Sequence, residues 1–582
     1  MSNVTCIMRW SLLAGLFVAA ACKSLDVPDL NDPDRKRVLN DATSATSVAA
    51  GTLQSWFNVT QAMDPDGALT TMADNYTASW NNYQMRLYSS EPRTSWQNDA
   101  ASAARIEIEA YWYGYYAALS SANDVLGVLR ADTMFKGNRD SAMVENLSVL
   151  MQGMTVAQLA LNYDQGFVVD WNTDLLQPLP LSTRVQMRDW AVAKLDTAAA
   201  LAAANVYTWP KAWTGGAECG GGEPRAHAGS PCTNVQVGQL ANTMAARLIA
   251  YFPRAASETQ TPADWDRVRG YASKGISSGV PSGVAFDFGF VGDGCVTGGK
   301  FCDELRAWSN DLTSMRTDTR VAHMMDTSQH TPWPDPNGNP QPNSPDKRLG
   351  DGTYDRNSGF CDPQVNMTIC PATVNAGTDY AYSPKAIFRP ARGQYHQSNI
   401  GQIRYDYVGF SDPGGTGGGF GFSPVILAAE NDLLWAEALI RGTAPDLATA
   451  ATLINKTRVT RGGLPAATAA DGVAGLLAKL QYEQDVELAG DNATPYYNRR
   501  RIDGLQALTP HQMPIPAKEL GVLGLPLYTF GGSAPAFSPS VGGGVTQAAN
   551  GLFNVEHLMR EAPSIWHEIQ DRQMARIKAV RQ

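Results

Sequence analysis

The sequence predicts a mainly α-helical protein of tetratricopeptide-like helical hairpins packed against an irregular, loop-rich lobe with few short strands. Three observations predict it. Apolar residues recur at helical spacing through both ends of the chain. A Gly/Pro-rich, cysteine-bearing stretch without that spacing lies between them. Successive helices are joined by short turns, so each hairpin leaves an apolar face that its neighbour must cover. No literal tetratricopeptide consensus occurs, and the expectation rests on periodicity.

The clearest helix of the first block spans Arg105 to Arg130. Ile108, Trp112, Tyr115, Leu119, Ala122, Leu126 and Leu129 step by four and three onto one face, which makes Trp112 and Tyr115 core residues. A second helix, Ser141 to Asp164, repeats the pattern with Leu147, Leu150, Met154, Ala157 and Leu161. A third, Val235 to Phe252, aligns Leu240, Met244, Leu248 and Tyr251. A fourth starts at Thr261-Pro262-Ala263-Asp264, because Pro suits the first helical position and Thr the cap before it; Trp265, Val268, Ala272 and Ile276 form its inner face. From Ser277 to Phe422 helical periodicity is weak, and Val284 to Val291 and Ile400 to Phe410 read as small strands. Helices resume with Val425 to Arg441, stopped by Gly442, then Asp446 to Thr460 and Asp471 to Ala489. A loop carrying Pro514 and Pro516 and a low-complexity linker, Gly531 to Asn550, precede a final amphipathic helix, Phe553 to Val580, which docks on the body or on a partner.

Composition bounds the function. The chain has 582 residues, 44% hydrophobic and 18% charged, which supplies a sizeable core and excludes a wholly disordered chain. The net charge is -10, the opposite of a nucleic-acid binder's basic excess, so no nucleic-acid partner is expected.

Met1 to Ala21 read as a secretory leader: Arg9 supplies the positive charge, and the apolar run Trp10 to Ala20 is shorter than the roughly 20 residues of a spanning helix. The run ends in Ala19-Ala20-Ala21-Cys22, placing Cys22 where a bacterial lipobox puts its lipidated cysteine, although Ala19 stands where Leu is usual. Cleavage nearby with Cys22 unmodified is the alternative. The cysteines that remain beyond Cys6 and Cys22 form close pairs, Cys219/Cys232, Cys295/Cys302 and Cys361/Cys370. Three local disulfides in an oxidising compartment are the simplest reading. A zinc site built on these cysteines would show CxxC spacing, which does not occur, so no metal is assigned. The chain thus divides into a leader (1–21), a tether (22–36), an N-terminal helical region (37–276), a loop-rich disulfide-bearing lobe (277–422), a C-terminal helical region (423–530) and a linker with an extra helix (531–582).

The C-terminal third carries an ordered string of short motifs. Ala429-Glu430-Asn431-Asp432-Leu433-Leu434-Trp435-Ala436-Glu437-Ala438 is followed by Asn455-Lys456-Thr457-Arg458 and by Arg461-Gly462-Gly463-Leu464-Pro465. Tyr482-Glu483 with Glu487-Leu488, Arg499-Arg500-Arg501-Ile502-Asp503 and Pro514-Ile515-Pro516-Ala517-Lys518-Glu519 come next; earlier stands Pro345-Asp346-Lys347-Arg348-Leu349. In this order the string resembles the SusD/RagB family of outer-membrane nutrient-binding lipoproteins, over roughly residues 22 to 530. Tyr482 departs from the Arg frequent there, Leu525-Pro526-Leu527-Tyr528 replaces the family's Asn-Pro-Gly-Tyr ending, and the tail after Gly531 is extra.

The resemblance implies about four tetratricopeptide-like hairpins on an irregular lobe. It implies a lipid-anchored, surface-exposed outer-membrane protein that passes an oligosaccharide or similar nutrient to a SusC-like TonB-dependent transporter, without cleaving it and without a cofactor. A helical-repeat scaffold of an envelope complex is the alternative; a glycoside hydrolase is a third.

Glycan binding pairs the apolar face of a sugar with an aromatic ring and its hydroxyls with amides and carboxylates. One cluster, Asp74, Asn75, Trp80, Asn81 and Asn82, lies between early helices, where the resemblance places part of the site; the alternative is that Trp80 caps the helical core. Trp308, Trp333, Tyr354, Tyr380 and Tyr382, on the loop-rich lobe, are further candidates, with packing over their own loops as the alternative. Catalytic residues are not expected. Glu430, Glu437, Glu483 and Glu487 sit at helical spacing and read as fold-supporting ion-pair partners, Glu483 and Glu487 of Arg499 to Arg501, rather than as a glycosidase pair. Asp335 to Asn339 with Asp346 loosely resembles a calcium loop, but Pro340 stands where its turn needs Gly. HExxH and Walker motifs are absent.

Overall fold

The computed structural model describes residues 42–77, 81–131, 140–216, 219–220, 230–258, 260–277, 285–295, 299–309, 315–332, 339–353, 375–382, 396–405, 419–533, 552–553 and 555–581. The chain divides into two compact units, Met1–Ala45 and Thr46–Gln582. All but the first few described residues belong to the second unit.

Two N-terminal helices, α1 (Ala42–Thr60) and α2 (Met63–Met72), and a short α3 (Met85–Ser89) precede the helical stack. The stack consists of hairpins. The first is α4 (Ile106–Ala131) with α5 (Ser141–Asn162), and the second is α6 (Arg184–Ala204) with α7 (Asn234–Tyr251). The third pairs α8 (Pro262–Ala272) with a helix far along the chain, α11 (Ala428–Arg441), and the fourth is α12 (Leu447–Arg458) with α13 (Gly472–Val486). Each hairpin packs on the next: α5 on α6, α7 on α8 and on α11, and α11 on both α12 and α13. The loop-rich lobe, with its short helices α9 (Glu304–Ser309) and α10 (Thr319–Met325), is therefore inserted between the two helices of the third hairpin.

Local sequence explains where these helices start. Thr183 with Gln186, Thr233 with Gln236 and Thr261 with Asp264 each form a reciprocal capping box, and Pro262 occupies the first turn of α8. Such boxes satisfy N–H groups that have no partner within the helix. Helix α5 lies between α4 and α6, so it buries polar side chains as well as Leu147, Leu150 and Met154. They are paired inside: Gln152 Nε2 donates to Asn123 Oδ1 (2.6 Å) and Asp170 Oδ1 (2.8 Å), and Asn146 Nδ2 to the Ala198 carbonyl (3.1 Å). Helices α1, α2 and α6 were not anticipated. The core face of α6 is Met187, Ala191, Val192, Leu195, Ala198 and Ala202, where alanine blurs the contrast between faces.

The lobe carries the longest described strands, β3 (Asp287–Asp293) and β7 (Phe420–Ile426), paired antiparallel with β2 (Cys219–Gly220) on the other side of β3. Val425 and Ile426 thus belong to a strand and not to the expected helix, which begins at Ala428 where Asp287 Oδ1 accepts its backbone N–H (2.8 Å). The lobe meets the helices through aromatic contacts: the Phe57 ring on α1 lies 4.5 Å from Phe290 and 5.8 Å from Phe301. Smaller pairs are β1 (Tyr76–Thr77) with β4 (Arg316–Thr317), and β5 (Tyr380–Tyr382) with β6 (Ile400–Gln402). Disulfides Cys219–Cys232 and Cys295–Cys302 are formed; Cys361, Cys370 and Cys22 lie outside the described residues.

The final helix, α16 (Glu556–Arg581), comes after α14 (Thr494–Arg500) and α15 (Ala517–Val522) and packs along α4. Leu558, Met559, Trp566 and Ile569 are buried, and Ser120 Oγ donates to the Met559 carbonyl (2.7 Å). Gly114 makes this close approach possible: a Cβ there would lie 2.4 Å from Val59 Cγ2 and 3.1 Å from Trp566. The helix covers the open end of the stack, as terminal elements of repeat arrays do. Among the described residues no helix is long and apolar enough to cross a membrane.

Candidate ligand-binding site

The motif string folds into a set of buried ion pairs that tie one layer of the structure to the next. Glu430 on α11 accepts from Arg247 Nε (2.7 Å) and Tyr251 Oη (2.9 Å) on α7. Glu437 accepts both outer nitrogens of Arg501 (2.8 and 2.6 Å). Asn455 holds the turn after α12, donating to the Ala467 carbonyl (2.9 Å) and accepting its N–H (2.7 Å). Arg500 donates to the carbonyls of Leu161 (2.9 Å), His511 (3.0 Å) and Tyr251 (3.1 Å).

At the centre stands Arg348, fully buried. Its Nη1 donates to Glu483 (2.8 Å) and Glu487 (2.9 Å) on α13, and its Nη2 to Asp346 (2.7 Å). Arg404 (2.9 Å) and Arg461 (2.7 Å) also hold Glu487. Glu483 and Glu487 therefore pair with an arginine of the lobe and not with Arg499 to Arg501, a correction that local spacing could not supply. Burial works against charge on Glu487, but the guanidiniums of Arg461, Arg404 and Arg348 outweigh it and hold the carboxyl at about 2. Likewise Arg501 overcomes burial at Glu437 and brings it to about 2. Asp346, read as the far end of a loose calcium loop, is spent on Arg348 and on the Tyr482 hydroxyl (2.7 Å); residues 333–338 lie outside the described residues.

The Asp74-to-Asn82 segment leaves α2 and divides into a buried and an exposed part. Asp74 and Asn75 are buried anchors. Asp74 Oδ1 accepts from Arg93 Nη2 (2.5 Å) and Gln506 Nε2 (3.0 Å), and the Asp74 carbonyl accepts from Arg320 Nε (3.1 Å). Asn75 donates to the Asp485 carbonyl (3.1 Å), and its own carbonyl accepts from Asp318 N–H (3.0 Å). Trp80 lies outside the described residues. Asn81 is exposed, accepting from Leu87 N–H (2.9 Å) and donating to Gln84 Oε1 (3.1 Å), and Asn82 is half-buried.

Beneath this segment Asp74, Asp318 and His396 each bring one ligand-type atom within 4.8 Å of the others. Asp318 caps α10, accepting from Arg320 N–H (2.7 Å). His396 lies between Glu91 (3.3 Å) and Asp318 (3.7 Å). Burial depresses its pKa, but Asp318, Glu91 and Asp74 together raise it above the usual imidazole value. Arg93 on Asp74 and Arg320 on Asp485 already supply the positive charge, so the cluster reads as an ion-pair junction rather than a cation site. Asp74, Tyr83, Gln84 and His396 all have positive φ (51°, 52°, 53° and 55°), a conformation that costs roughly 1–2 kcal/mol each outside glycine. Such strain gathers where surrounding contacts over-determine the chain, often at functional sites.

The lobe aromatics separate in the same way. Trp308 is buried, its ring edge-on to Tyr83 at 5.5 Å. Tyr380 is buried with its hydroxyl on the Val486 carbonyl (2.7 Å). Both are core side chains with no face for a ligand. Tyr382 is half-buried, its hydroxyl on the Asn339 carbonyl (2.8 Å). Trp333 and Tyr354 lie outside the described residues. The described candidates that reach the surface are therefore Asn81, Asn82 and Tyr382. Arg93, Arg320 and His396 carry no sequence signal that marks them, and Arg348 is marked only by the run Pro345-Asp346-Lys347-Arg348-Leu349.

No family model matches the chain, and no curated protein matches it. Solved SusD-superfamily structures are similar to it. A SusD superfamily protein from Bacteroides vulgatus is 14% identical, with a TM-score of 0.45, over 80% of this chain and 89% of that one. A SusD-like carbohydrate binding protein from Bacteroides fragilis is 14% identical, with a TM-score of 0.48, over 80% and 86%. A SusD superfamily protein from Bacteroides thetaiotaomicron is 12% identical, with a TM-score of 0.48, over 79% and 90%.

Proposed function

We propose that this chain is a non-catalytic, cell-surface nutrient-binding lipoprotein of the SusD kind. In this reading it is anchored through Cys22, takes up an oligosaccharide and passes it to a SusC-like TonB-dependent outer-membrane transporter. One observation carries the reading. Motif residues spread from Asp346 to Glu487 converge on the single Arg348 network between the last hairpin and the lobe. Short motifs that matched by chance would have no reason to meet in space, so their meeting supports the resemblance. The same network supports a non-catalytic role. A glycosidase needs two carboxyls roughly 5 to 9.5 Å apart that face a substrate. Glu430, Glu437, Glu483 and Glu487 are instead buried and held by guanidiniums.

In this reading the oligosaccharide meets the candidate residues that reach the surface, Asn81, Asn82 and Tyr382, with Trp80, Trp333 and Tyr354 as candidate stacking rings. Isothermal titration of the mature protein against a panel of neutral and acidic oligosaccharides tests this. Saturable binding with the sugar recovered intact is the expected result. Cleaved sugar would refute the non-catalytic reading, and absence of binding across the panel would favour an envelope scaffold.

A further inference from the structure

A pocket of about 270 Å³ opens at the edge of the lobe, and none of the candidate residues Asn81, Asn82 and Tyr382 lines it. Five separate segments build it: Met324 and Met325 at the end of α10, Pro345, Arg458 at the end of α12, Leu464 in the turn after that helix, and Ala478, Lys479 and Tyr482 on α13. Positions 478, 479 and 482 share one face of that helix. The turn is held in place by the lobe. The Lys347 N–H donates to the Gly462 carbonyl (2.9 Å), and Gly463, at φ 61°, sits against the Lys347 stem, 2.8 Å from where a Cβ would stand.

The lining has two chemistries. Met324, Met325, Pro345, Leu464 and the Tyr482 ring supply an apolar wall. Arg458 and Lys479 supply two cations, and no carboxylate is among the lining residues. Both cations retain donor capacity. Arg458 Nε is spent on the Pro465 carbonyl (2.7 Å), Nη1 stands 3.6 Å from Glu483, and the guanidinium carbon lies 5.8 Å from the Tyr482 ring centre, while Nη2 has no hydrogen-bond partner among the described residues. Lys479 Nζ donates to Asp471 (2.7 Å) and the Ala466 carbonyl (3.2 Å), which leaves one of its three protons. The Tyr482 hydroxyl is committed to Asp346, so the ring offers surface and not a hydrogen bond. The volume lies just below the roughly 300 Å³ at which drug-sized sites begin, so the pocket takes one ring rather than a chain.

We infer that this pocket binds a single acidic sugar ring, a hexuronate unit, with its carboxylate between Arg458 and Lys479 and its apolar face on Met324, Leu464 and Tyr482. The inference rests on the nutrient-binding reading and narrows its ligand class to oligosaccharides that carry carboxylates. Asp471 and Glu483 partly neutralise these cations from outside the lining, but on a chain of net charge -10 a pocket whose charged lining residues are Arg458 and Lys479 is a local departure that favours an anion there over the rest of the surface.

Methyl β-D-glucuronide and methyl β-D-glucoside differ only in the oxidation state of C6, so the pair isolates the carboxylate. Titration of the mature full-length protein should show the glucuronide binding at least about tenfold more tightly, with affinity falling as salt rises. K479Q removes a cation from a partly exposed position and should reduce that preference at least about threefold. A478W, at an exposed position, fills the pocket without touching the core and should abolish glucuronide binding. Bound glucuronide should also slow acetylation of Lys479, read by mass spectrometry. Equal binding of the two glycosides, glucuronide binding that survives A478W, or no glucuronide binding up to about 10 mM would overturn the inference. If neutral oligosaccharides still bind in that case, the nutrient-binding reading stands. If no sugar of any kind binds, that reading falls with it.

Discussion

Replacing Arg348 with methionine removes the guanidinium on which the lobe and the last hairpin meet. The arginine is fully buried and donates to three carboxylates at 2.7–2.9 Å. Their remaining partners differ. Glu487 keeps Arg404 and Arg461, and Asp346 keeps the Tyr482 hydroxyl, but Glu483 is left with the Thr457 hydroxyl and with Arg458 at 3.6 Å. One buried carboxylate thus loses its main counter-charge, and breaking a buried pair costs about 3–5 kcal/mol. Total stabilities are about 5–15 kcal/mol, so the variant should fold but melt early. Chemical denaturation read by tryptophan fluorescence measures the difference at pH 7.5 and again at pH 4.5. The sign with pH comes from linkage: burial raises the Glu483 pKa, and losing Arg348 raises it further, so the folded variant takes up a proton that the unfolded chain does not hold. The penalty should therefore shrink as pH falls. Adding Glu483→Gln to the variant should restore part of the loss at pH 7.5. A penalty under about 1 kcal/mol, or one that grows toward acid, would refute the reasoning.

Two other buried carboxyls and the terminal helix give further expected outcomes. Burial, only partly offset by the Tyr528 hydroxyl, pushes Asp164 up to about 7 from 3.8, so its contribution to stability falls as pH rises from about 4 to 7, by roughly 4 kcal/mol at 1.36 kcal/mol per unit. Asp164→Asn should gain on the parent protein across that window in denaturation curves, and parallel curves would contradict this. Glu437, held at about 2 by Arg501 against burial, stabilises fully above about pH 4.5, and the contribution is lost as pH falls toward 2. Glu437→Gln should therefore cost about 3 kcal/mol at neutral pH and far less near pH 2. Trp566→Ala empties the contact between α16 and α4 and should cost about 3–5 kcal/mol, read in a thermal melt; a loss below about 1 kcal/mol would mean that α16 does not stabilise the stack.

What could be read from sequence depended on side-chain size. Helices α4 and α5 stood out because Trp112, Leu119, Leu147 and Leu150 contrast with the residues between them. In α1 and α6 alanine and threonine fill much of the helix, and the inner face is legible only once its neighbours are known. Capping explains why α8 was placed correctly at Thr261-Pro262. The disulfides Cys219–Cys232 and Cys295–Cys302 were legible from proximity in the chain. The partner of Glu483 and Glu487 was not, because Arg348 reaches α13 from the inserted lobe. Trp308 and Tyr380 were equally opaque: a loop-rich stretch has no period to say which aromatic faces inward, and tertiary packing buried both.

The proposed import role is tested most directly by a pull-down from detergent-solubilised outer membrane with this protein as bait. The account predicts recovery of a large TonB-dependent barrel at close to one copy per copy of bait. A folded, lipidated protein that recovers no barrel would contradict it and leave a helical-repeat scaffold that shares the fold without the role.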